Sequence, residues 1–400
     1  MLIMGFLLRN LPVVGEQIGS QVDPAWSSAL RLGALTLILT RAGLAMDLDA
    51  LRRLRFVVLR LAALPCLSEA ATAGLLASWL LDFPIWWAAM LGFVVAAISP
   101  AVVVPSLLQL QEQGYGVTAG IPTMVVAAAP LDDVLSIAGF GICLGSNFAE
   151  TSWLSYARAP LELVLGLGTG LIGSALLVVL TPSSDEEAFE LRLLLLLGAG
   201  LATAFGLREV GFSGASALAV LVLGAGCARG WGAAAKPVSS SIADLWTRLA
   251  QPLLFSLVGA SVVVEALDAE TVAAGLLIIF LGGLVRFGAV FVALSFRRMK
   301  YQEKFFTALA WTPKATVQAA IGALALDEAT TLTEQRFGRQ LLAVAVLCIL
   351  VTAPPGAALI AVLGPRLLEK AKDPDLEDAG PDKADDAVPA ETMPGEPESK

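Results

Sequence analysis

The sequence predicts an all-α membrane protein with about eleven or twelve helices that cross the bilayer. Of its 400 residues, 57% are hydrophobic and only 15% are charged, whereas about 25% of the residues of a soluble globular protein are charged. The apolar residues form long blocks instead of the stripes or alternation of soluble helices and strands. Because a helix rises about 1.5 Å per residue, about 20 apolar residues cross the roughly 30 Å hydrocarbon layer.

Eleven apolar segments reach this length. They lie at 26–46, 54–80, 84–109, 118–145, 154–180, 191–207, 212–228, 245–264, 271–296, 303–326 and 338–364. The apolar start at residues 1–8 is too short to span, and it lacks both a basic region and a small-residue cleavage site. We therefore expect it to be the second half of a truncated transmembrane helix and not a signal peptide.

The loops on the two sides of the membrane differ in their number of Lys and Arg residues. Loops on the side of the C-terminus contain thirteen basic residues, and those on the opposite side contain four. Since cytoplasmic loops are enriched in Lys and Arg, the C-terminus is predicted to be cytoplasmic. We assign residues 1–370 to a transmembrane domain. Residues 371–400, with ten acidic and three basic residues, are predicted to be a disordered acidic cytoplasmic tail.

The composition argues against an enzyme. Histidine is absent, which removes the usual triad base and zinc ligand. Four cysteines lie singly within apolar runs without any CxxC pair, so we interpret them as core residues. No nucleophile motif is present either. We expect no enzyme activity, no cofactor and no nucleic-acid partner, with membrane lipid as the surrounding partner.

Five ionisable residues lie deep inside apolar segments: Glu69, Asp132, Asp133, Arg286 and Lys314. Each unpaired charge at the centre of a membrane helix costs roughly 2.5–3.5 kcal/mol on insertion scales. We therefore expect these side chains to face a bundle interior or a hydrated cavity and to pair with one another. Three acids and two bases leave one carboxylate in excess, which is what a cation site requires.

The adjacent acids Asp132 and Asp133 lie near the middle of segment 118–145. Neighbouring helical residues are about 100° apart, so one acid can face a cavity while the other faces a neighbouring helix. Two carboxylates in a low dielectric do not readily ionise together, so one can hold a proton near neutral pH. Oxygen ligands also suit an alkali cation. The alternative is an Asp that caps a helix after Pro130.

Two hydroxyl side chains, Ser99 and Thr123, are candidate additional ligands of a cation, although ordinary helix packing explains them equally well. Ser99 belongs to the first of two segments that have the features of broken helices. These are VVAAISPAVVVPSLLQL, with Pro100, and ALAWTPKATVQAAIGALAL, with Pro313. Proline removes a backbone donor and frees carbonyls that can bind an ion. One break in each half of the chain predicts a midplane site in an inverted-repeat transporter, although prolines also kink membrane helices without any function.

Several long motifs resemble those of a known family. They are LPCLSEA, ISPAVVVPSLLQLQEQGYGV, PLDDVLSIAGF, QPLLFSLVGA, WTPKATVQAAIGALALD and TAPPGAALIAVLGPRLLEK. Over most of residues 1–370 the chain resembles the NHA-type sodium/hydrogen exchangers, solute-carrier family 9 subfamily B, of the cation:proton antiporter superfamily. The resemblance implies an inverted-repeat antiporter fold with two broken crossing helices, a homodimer, and elevator-like alternating access.

The resemblance also implies roles for the buried charges. Asp132 and Asp133 match an acid pair that exchanges Na⁺ or Li⁺ for H⁺, with Asp133 as the primary carboxylate and Lys314 as its ion-pair partner. Glu69 and Arg286 match a second buried pair. The transported ions would then be the only ions required.

Two alternatives remain from the sequence. Family members have a longer N-terminus whose helices contribute to dimer contacts, so the short start here is also compatible with a transport-inactive membrane partner or regulator. A sodium-coupled solute symporter shares broken helices and buried acids, but the apolar segments contain few Asn, Gln or Tyr residues for binding an organic substrate. We expect an integral multi-pass protein of the plasma membrane or of a mitochondrial or endosomal membrane.

Overall fold

The computed structural model describes residues 1–11, 23–46, 55–148, 154–181, 188–261 and 268–371. Within these ranges the chain is helical apart from short connections and one isolated β-bridge between Tyr115 and Lys370. The predicted acidic tail lies outside the described residues from residue 372 onwards. The helices are α1 (Leu2–Asn10), α2 (Pro24–Leu44), α3 (Arg55–Leu80), α4 (Ile85–Ala96), α5 (Pro100–Glu112), α6 (Ile121–Phe148), α7 (Leu154–Leu180), α8 (Phe189–Glu209), α9 (Ser213–Trp231), α10 (Ala235–Leu245), α11 (Gln251–Ala260), α12 (Ala269–Ala293), α13 (Tyr301–Ala310), α14 (Thr316–Ile321), α15 (Leu324–Asp327) and α16 (Leu332–Leu367).

Every one of the eleven predicted segments overlaps at least one of these helices, so the all-α polytopic architecture is confirmed. Among the described residues, eight helical stretches are long and apolar enough to cross a membrane. The number is three lower than the eleven predicted segments for three reasons. Helix α2 contains two arginines, α9 to α11 form one continuous stretch, and the segment at 303–326 is divided into short helices.

The helices are arranged in two bundles. The crossing bundle comprises the described residues of 55–148 and 268–371, and the flanking bundle comprises those of 1–46 and 154–261. In the crossing bundle α3 packs closely against α4 and α12, and in the flanking bundle α9 packs against α7 and α2. The two bundles meet mainly where α6 lies along α9.

The crossing bundle repeats one motif twice. Each half contains a long helix, a broken helix and a second long helix, namely α3, α4–α5 and α6, followed by α12, α13–α15 and α16. The first break lies at 97–99 and the second at 311–315. The two breaks touch, because the Ser99 N–H donates a 2.8 Å hydrogen bond to the Pro313 carbonyl. The predicted pair of broken crossing helices is therefore confirmed.

The contacts at the end of α16 define the two sides of the molecule. The Glu369 carbonyl accepts a 2.9 Å hydrogen bond from the N–H of Gly116, which follows α5. The Glu369 carboxylate forms an ion pair with Lys300, which precedes α13. We call this side the tail side and the opposite one the far side. The first broken helix thus ends where the second begins, as an inverted repeat requires.

Hydrophobic packing between the bundles differs between the two sides. From the far side to the centre, one cluster of buried apolar residues includes members of both bundles, whereas on the tail side each bundle has its own cluster among the described residues. Representative members are Leu35, Ala217, Ile137 and Phe140 in the shared cluster, Leu61, Leu107 and Phe306 in the crossing-bundle cluster, and Leu177, Trp231 and Ile242 in the flanking-bundle cluster. Among the described residues, the hydrophobic cluster that joins the bundles therefore lies from the far side to the centre.

We expect Gly92→Ala to destabilise the protein. A Cβ at Gly92 in α4 would lie 2.2 Å from the carbonyl oxygen of Ala70 in α3, so the two helices would have to separate. Overpacking of this kind costs about 1–3 kcal/mol. The unfolding midpoint in detergent measures the effect.

The matched control is Gly168→Ala, because a Cβ at Gly168 meets no heavy atom within 4 Å. Replacing a helical glycine with alanine without a clash should stabilise by up to about 1 kcal/mol. Equal midpoints for the two variants would contradict the close approach of α3 and α4.

Candidate functional site

The five ionisable residues that the sequence analysis singled out come from four parts of the crossing bundle. Glu69 lies on α3, Asp132 and Asp133 lie on α6, Arg286 lies on α12, and Lys314 lies in the second break. All five are buried, with at most 6% of any residue exposed. The structure joins four of them in one network of ion pairs at the crossing of the two breaks.

Arg286 is at the centre of this network. Its Nη1 donates to Glu69 Oε2 at 2.8 Å, and its Nη2 donates to Asp132 Oδ1 at 2.8 Å. The same side chain donates to the carbonyl of Ala96, the last residue of α4, and at 2.8 Å to the carbonyl of Trp311, which follows α13. Because guanidinium presents five donors in one rigid plane, a single arginine binds one oxygen of each of two carboxylates and a carbonyl at each break.

Lys314 is bound to Glu69 and not to Asp133. The Lys314 Nζ lies 2.7 Å from Glu69 Oε2, and its backbone N–H donates to Thr352 Oγ at 3.0 Å. The predicted Lys314–Asp133 pair is thus absent here, whereas the predicted Glu69–Arg286 pair is present at 2.8 Å. The physical reason is that the Glu69 carboxylate lies between both cations and binds them with the same oxygen.

The two adjacent acids differ in their surroundings. Both oxygens of Asp132 are bound, Oδ1 by Arg286 and Oδ2 by the N–H of Ile98 in the first break at 3.0 Å. Asp133 forms no ion pair with a described residue, and its Oδ1 is buried without a hydrogen-bond partner in the described part of the chain. If all five groups are ionised, the excess negative charge therefore lies on Asp133.

Both acids lie well inside α6, which begins at Ile121 and continues to Phe148. The alternative that one of them caps a helix after Pro130 is therefore wrong, since Pro130 itself is an interior residue of that helix. The bonding of Asp132 to Arg286 and Ile98 agrees with the expectation that one acid faces neighbouring helices, while a cavity at the other acid, Asp133, stays a prediction.

The two candidate hydroxyl ligands have different positions. Ser99 lies in the first break next to Ile98, and its Oγ is buried without a hydrogen-bond partner among the described residues. Thr123 is exposed and lies nine residues before Asp132 on α6. At the helical rise this separation is about 14 Å. In this conformation Thr123 therefore lies more than two helical turns from both acids along α6, and its role as a ligand stays a prediction.

Sequence reasoning missed two polar residues that support the breaks. The Gln318 side-chain amide donates 2.8 Å hydrogen bonds to the carbonyls of Val94 and Ala97, which flank the end of α4. Thr352 on α16 accepts the backbone N–H of Lys314. A lone amide four residues after Lys314 in an apolar segment was a usable signal for Gln318. The Thr352 contact had no comparable signal, because helical hydroxyls usually bond within their own helix, as Thr352 also does to Cys348.

We expect Arg286→Met to lower the free energy of unfolding strongly. The change leaves the buried Asp132 without its cation and the carbonyls of Ala96 and Trp311 without their donor. Removal of one partner of a buried pair costs about 3–5 kcal/mol. Arg298→Met, on an exposed loop residue, is the control and should leave the unfolding midpoint in detergent almost unchanged. Similar midpoints for both variants would count against the central role of Arg286.

Known proteins with similar sequences are sodium/hydrogen exchangers. A family profile described as "Sodium/hydrogen exchanger, transmembrane" matches residues 1–363. The chain is 44% identical to sodium/hydrogen exchanger 9B2 of Xenopus tropicalis over 385 residues, which cover 95% of this chain and 71% of that protein. It is 43% identical to the Homo sapiens 9B2 protein, over 92% of this chain and 69% of that protein.

It is also 41% identical to sodium/hydrogen exchanger 9B1 of Homo sapiens, over 94% of this chain and 73% of that protein. Among solved structures, the sodium proton antiporter MjNhaP1 from Methanocaldococcus jannaschii at pH 8 aligns with a TM-score of 0.69. The alignment covers 92% of this chain and 91% of that one at 20% identity, so this likeness concerns the fold.

Proposed function

The chain belongs to the sodium/hydrogen exchanger family, and we propose that it exchanges Na⁺ or Li⁺ for H⁺ at the Asp132–Asp133 site. It is an integral multi-pass membrane protein, and its relatives are transporters and not enzymes. The single observation that supports the site is the difference between the two acids. Asp132 is fully bonded, whereas Asp133 has no cationic partner among the described residues.

A carboxylate in this position couples the two ions. An ionised, unpaired carboxylate inside a membrane bundle is expensive, so Asp133 is stable only when it holds a proton or an alkali cation. Because both occupants neutralise the same group, one must leave before the other binds. The Ser99 hydroxyl, which lies in the first break without a hydrogen-bond partner among the described residues, is the candidate further oxygen ligand, and oxygen suits a hard cation.

The other four charged groups act as a frame. Glu69, Asp132, Arg286 and Lys314 neutralise one another and hold both breaks beside Asp133. In this conformation Lys314 is a partner of Glu69, so the ammonium does not compete with a cation for Asp133. The frame leaves Asp133 as the one group of the five whose charge can change without breaking an ion pair.

Exchange requires that the site be reached from both sides in turn. The bundles share a hydrophobic cluster from the far side to the centre and have separate clusters on the tail side, which supports access from the tail side in this conformation. The crossing bundle then moves against the flanking bundle to reverse the access. The distribution of Lys and Arg supports a cytoplasmic tail side. As the family resemblance implies, the protein acts as a homodimer, in the plasma membrane or a mitochondrial or endosomal membrane.

We expect Asp133→Asn to abolish exchange while the protein remains folded. The amide keeps the shape of the side chain but can neither ionise nor balance the charge of a cation, and the change breaks no ion pair. The measurement is the pH change inside proteoliposomes driven by a Na⁺ or Li⁺ gradient. Asp244→Asn, at an exposed carboxylate on α10, is the matched control and should exchange normally.

The same assay separates the alternatives. Normal exchange by Asp133→Asn would refute the assignment of the site. If the unmodified chain moves neither Na⁺, Li⁺ nor H⁺, it is the transport-inactive membrane partner. Sodium-dependent uptake of an organic solute without proton movement would identify a symporter.

A further inference from the structure

Two ion pairs connect the bundles on the far side, well away from the buried network. Arg31 of α2 binds both carboxylate oxygens of Asp327 at 2.7 and 2.8 Å, and Arg208 of α8 binds Glu328 at 3.2 Å. Each arginine belongs to the flanking bundle, and each acid belongs to the crossing bundle. A movement between the bundles must therefore break or rearrange both pairs.

The two acids lie at the end of the second broken helix. Asp327 is the last residue of α15 and Glu328 is its C-cap, thirteen and fourteen residues after Lys314. The second broken helix thus binds Glu69 through Lys314 at its break and contacts the flanking bundle through Asp327 and Glu328 at its end. A displacement of the break is thereby linked to the two far-side pairs through a short length of helical chain.

A small cavity lies between the bundles beside the Arg208–Glu328 pair. Arg208 and Glu328 are among its lining residues, and most of the others are apolar. Three of the lining residues on α6, Ile137, Gly141 and Leu144, follow Asp133 by four, eight and eleven residues. These spacings place them on the same face of the helix as Asp133. The cavity therefore lies along the path from Asp133 to the far side.

We propose that this cavity is the closed far-side half of the ion pathway to Asp133, and that the pairs Arg31–Asp327 and Arg208–Glu328 are the gate that closes it. The proposal rests on the proposed exchange function and adds the residues that control access to the site. The apolar lining excludes ions while the gate is shut. When the crossing bundle moves, the Asp327 and Glu328 carboxylates leave their arginines and remain at the mouth of the pathway.

The two pairs of the far-side gate differ in strength. The Arg31–Asp327 pair is bidentate, and its side chains are only 4% and 15% exposed, so solvent screens it weakly. The Arg208–Glu328 pair is longer, and its side chains are 20% and 38% exposed, so it contributes less. Arg31–Asp327 is accordingly the main contact that keeps the far side shut.

The gate is tested by chemical accessibility of the cavity, which does not depend on transport. Cys66, Cys143, Cys227 and Cys348 are first replaced with alanine, and a single cysteine is introduced at the cavity-lining Ala217. The full-length protein in proteoliposomes is then treated from outside with a membrane-impermeant thiol reagent. Thr330→Cys, at an exposed residue of the far-side loop, reports the fraction of molecules with that side outward.

In the otherwise unaltered gate, Ala217→Cys should react much more slowly than Thr330→Cys. Asp327→Asn should raise the Ala217→Cys rate about tenfold, because the closed state loses its main contact. Glu328→Gln, which alters the weaker pair, should raise the rate by less. The charge exchange Arg31→Asp with Asp327→Arg should restore slow labelling, a result that mere loosening of the fold does not produce.

Fast labelling of Ala217→Cys with the gate intact would overturn the proposal, since the cavity would already be open. Unchanged rates in both Asp327→Asn and Glu328→Gln would overturn it as well. Ion flux is measured on the same preparations. If the labelling pattern is as expected but no ion flux is measured, the proposed exchange function is refuted and the gate proposal is not. Failure of the exchange function can therefore be told apart from failure of the gate.

Discussion

The guanidinium of Arg286 is the contact on which the arrangement of the crossing bundle depends. Proline-interrupted helices leave carbonyls without helical donors in a region that contains no water to bind them. Arg286 donates to such carbonyls at Ala96 and Trp311, and it forms ion pairs with Glu69 and Asp132 at the same time. Unbonded carbonyls and buried acids would each be costly alone. Here one planar side chain binds both kinds of group and so stabilises them together.

This arrangement also explains why an odd number of charges is useful. Two cations and two acids would form a closed, neutral network with no need for a transported ion. The third acid, Asp133, lies beside that network without a partner among the described residues. In the proposed exchange the frame remains intact while a proton or a metal ion balances the charge of Asp133. The proposal thus assigns stability and exchange to different carboxylates, although the two are neighbours in the chain.

The second broken helix links the site to the edge of the bundle. Lys314 binds Glu69 at its break, Gln318 binds the carbonyls at the end of α4, and Asp327 binds Arg31 of the flanking bundle. Short helical pieces between these contacts have little freedom to bend because their side chains are almost all buried. Contiguous contacts therefore connect the proposed site with the packing between the bundles.

The sequence by itself determined the features that depend on local chain properties. The length of the apolar segments predicted the helices, the prolines at Pro100 and Pro313 predicted the breaks, and the cost of charge in lipid predicted that the buried ionisable residues face the interior. Only the tertiary structure decided how those charges pair, with Lys314 on Glu69 instead of Asp133, and that Thr123 is remote from the acids. Pairing depends on how helices from distant parts of the chain are rotated about their axes and shifted along them. A shift of one residue or a few ångströms in that packing changes which carboxylate oxygen a lysine or arginine reaches.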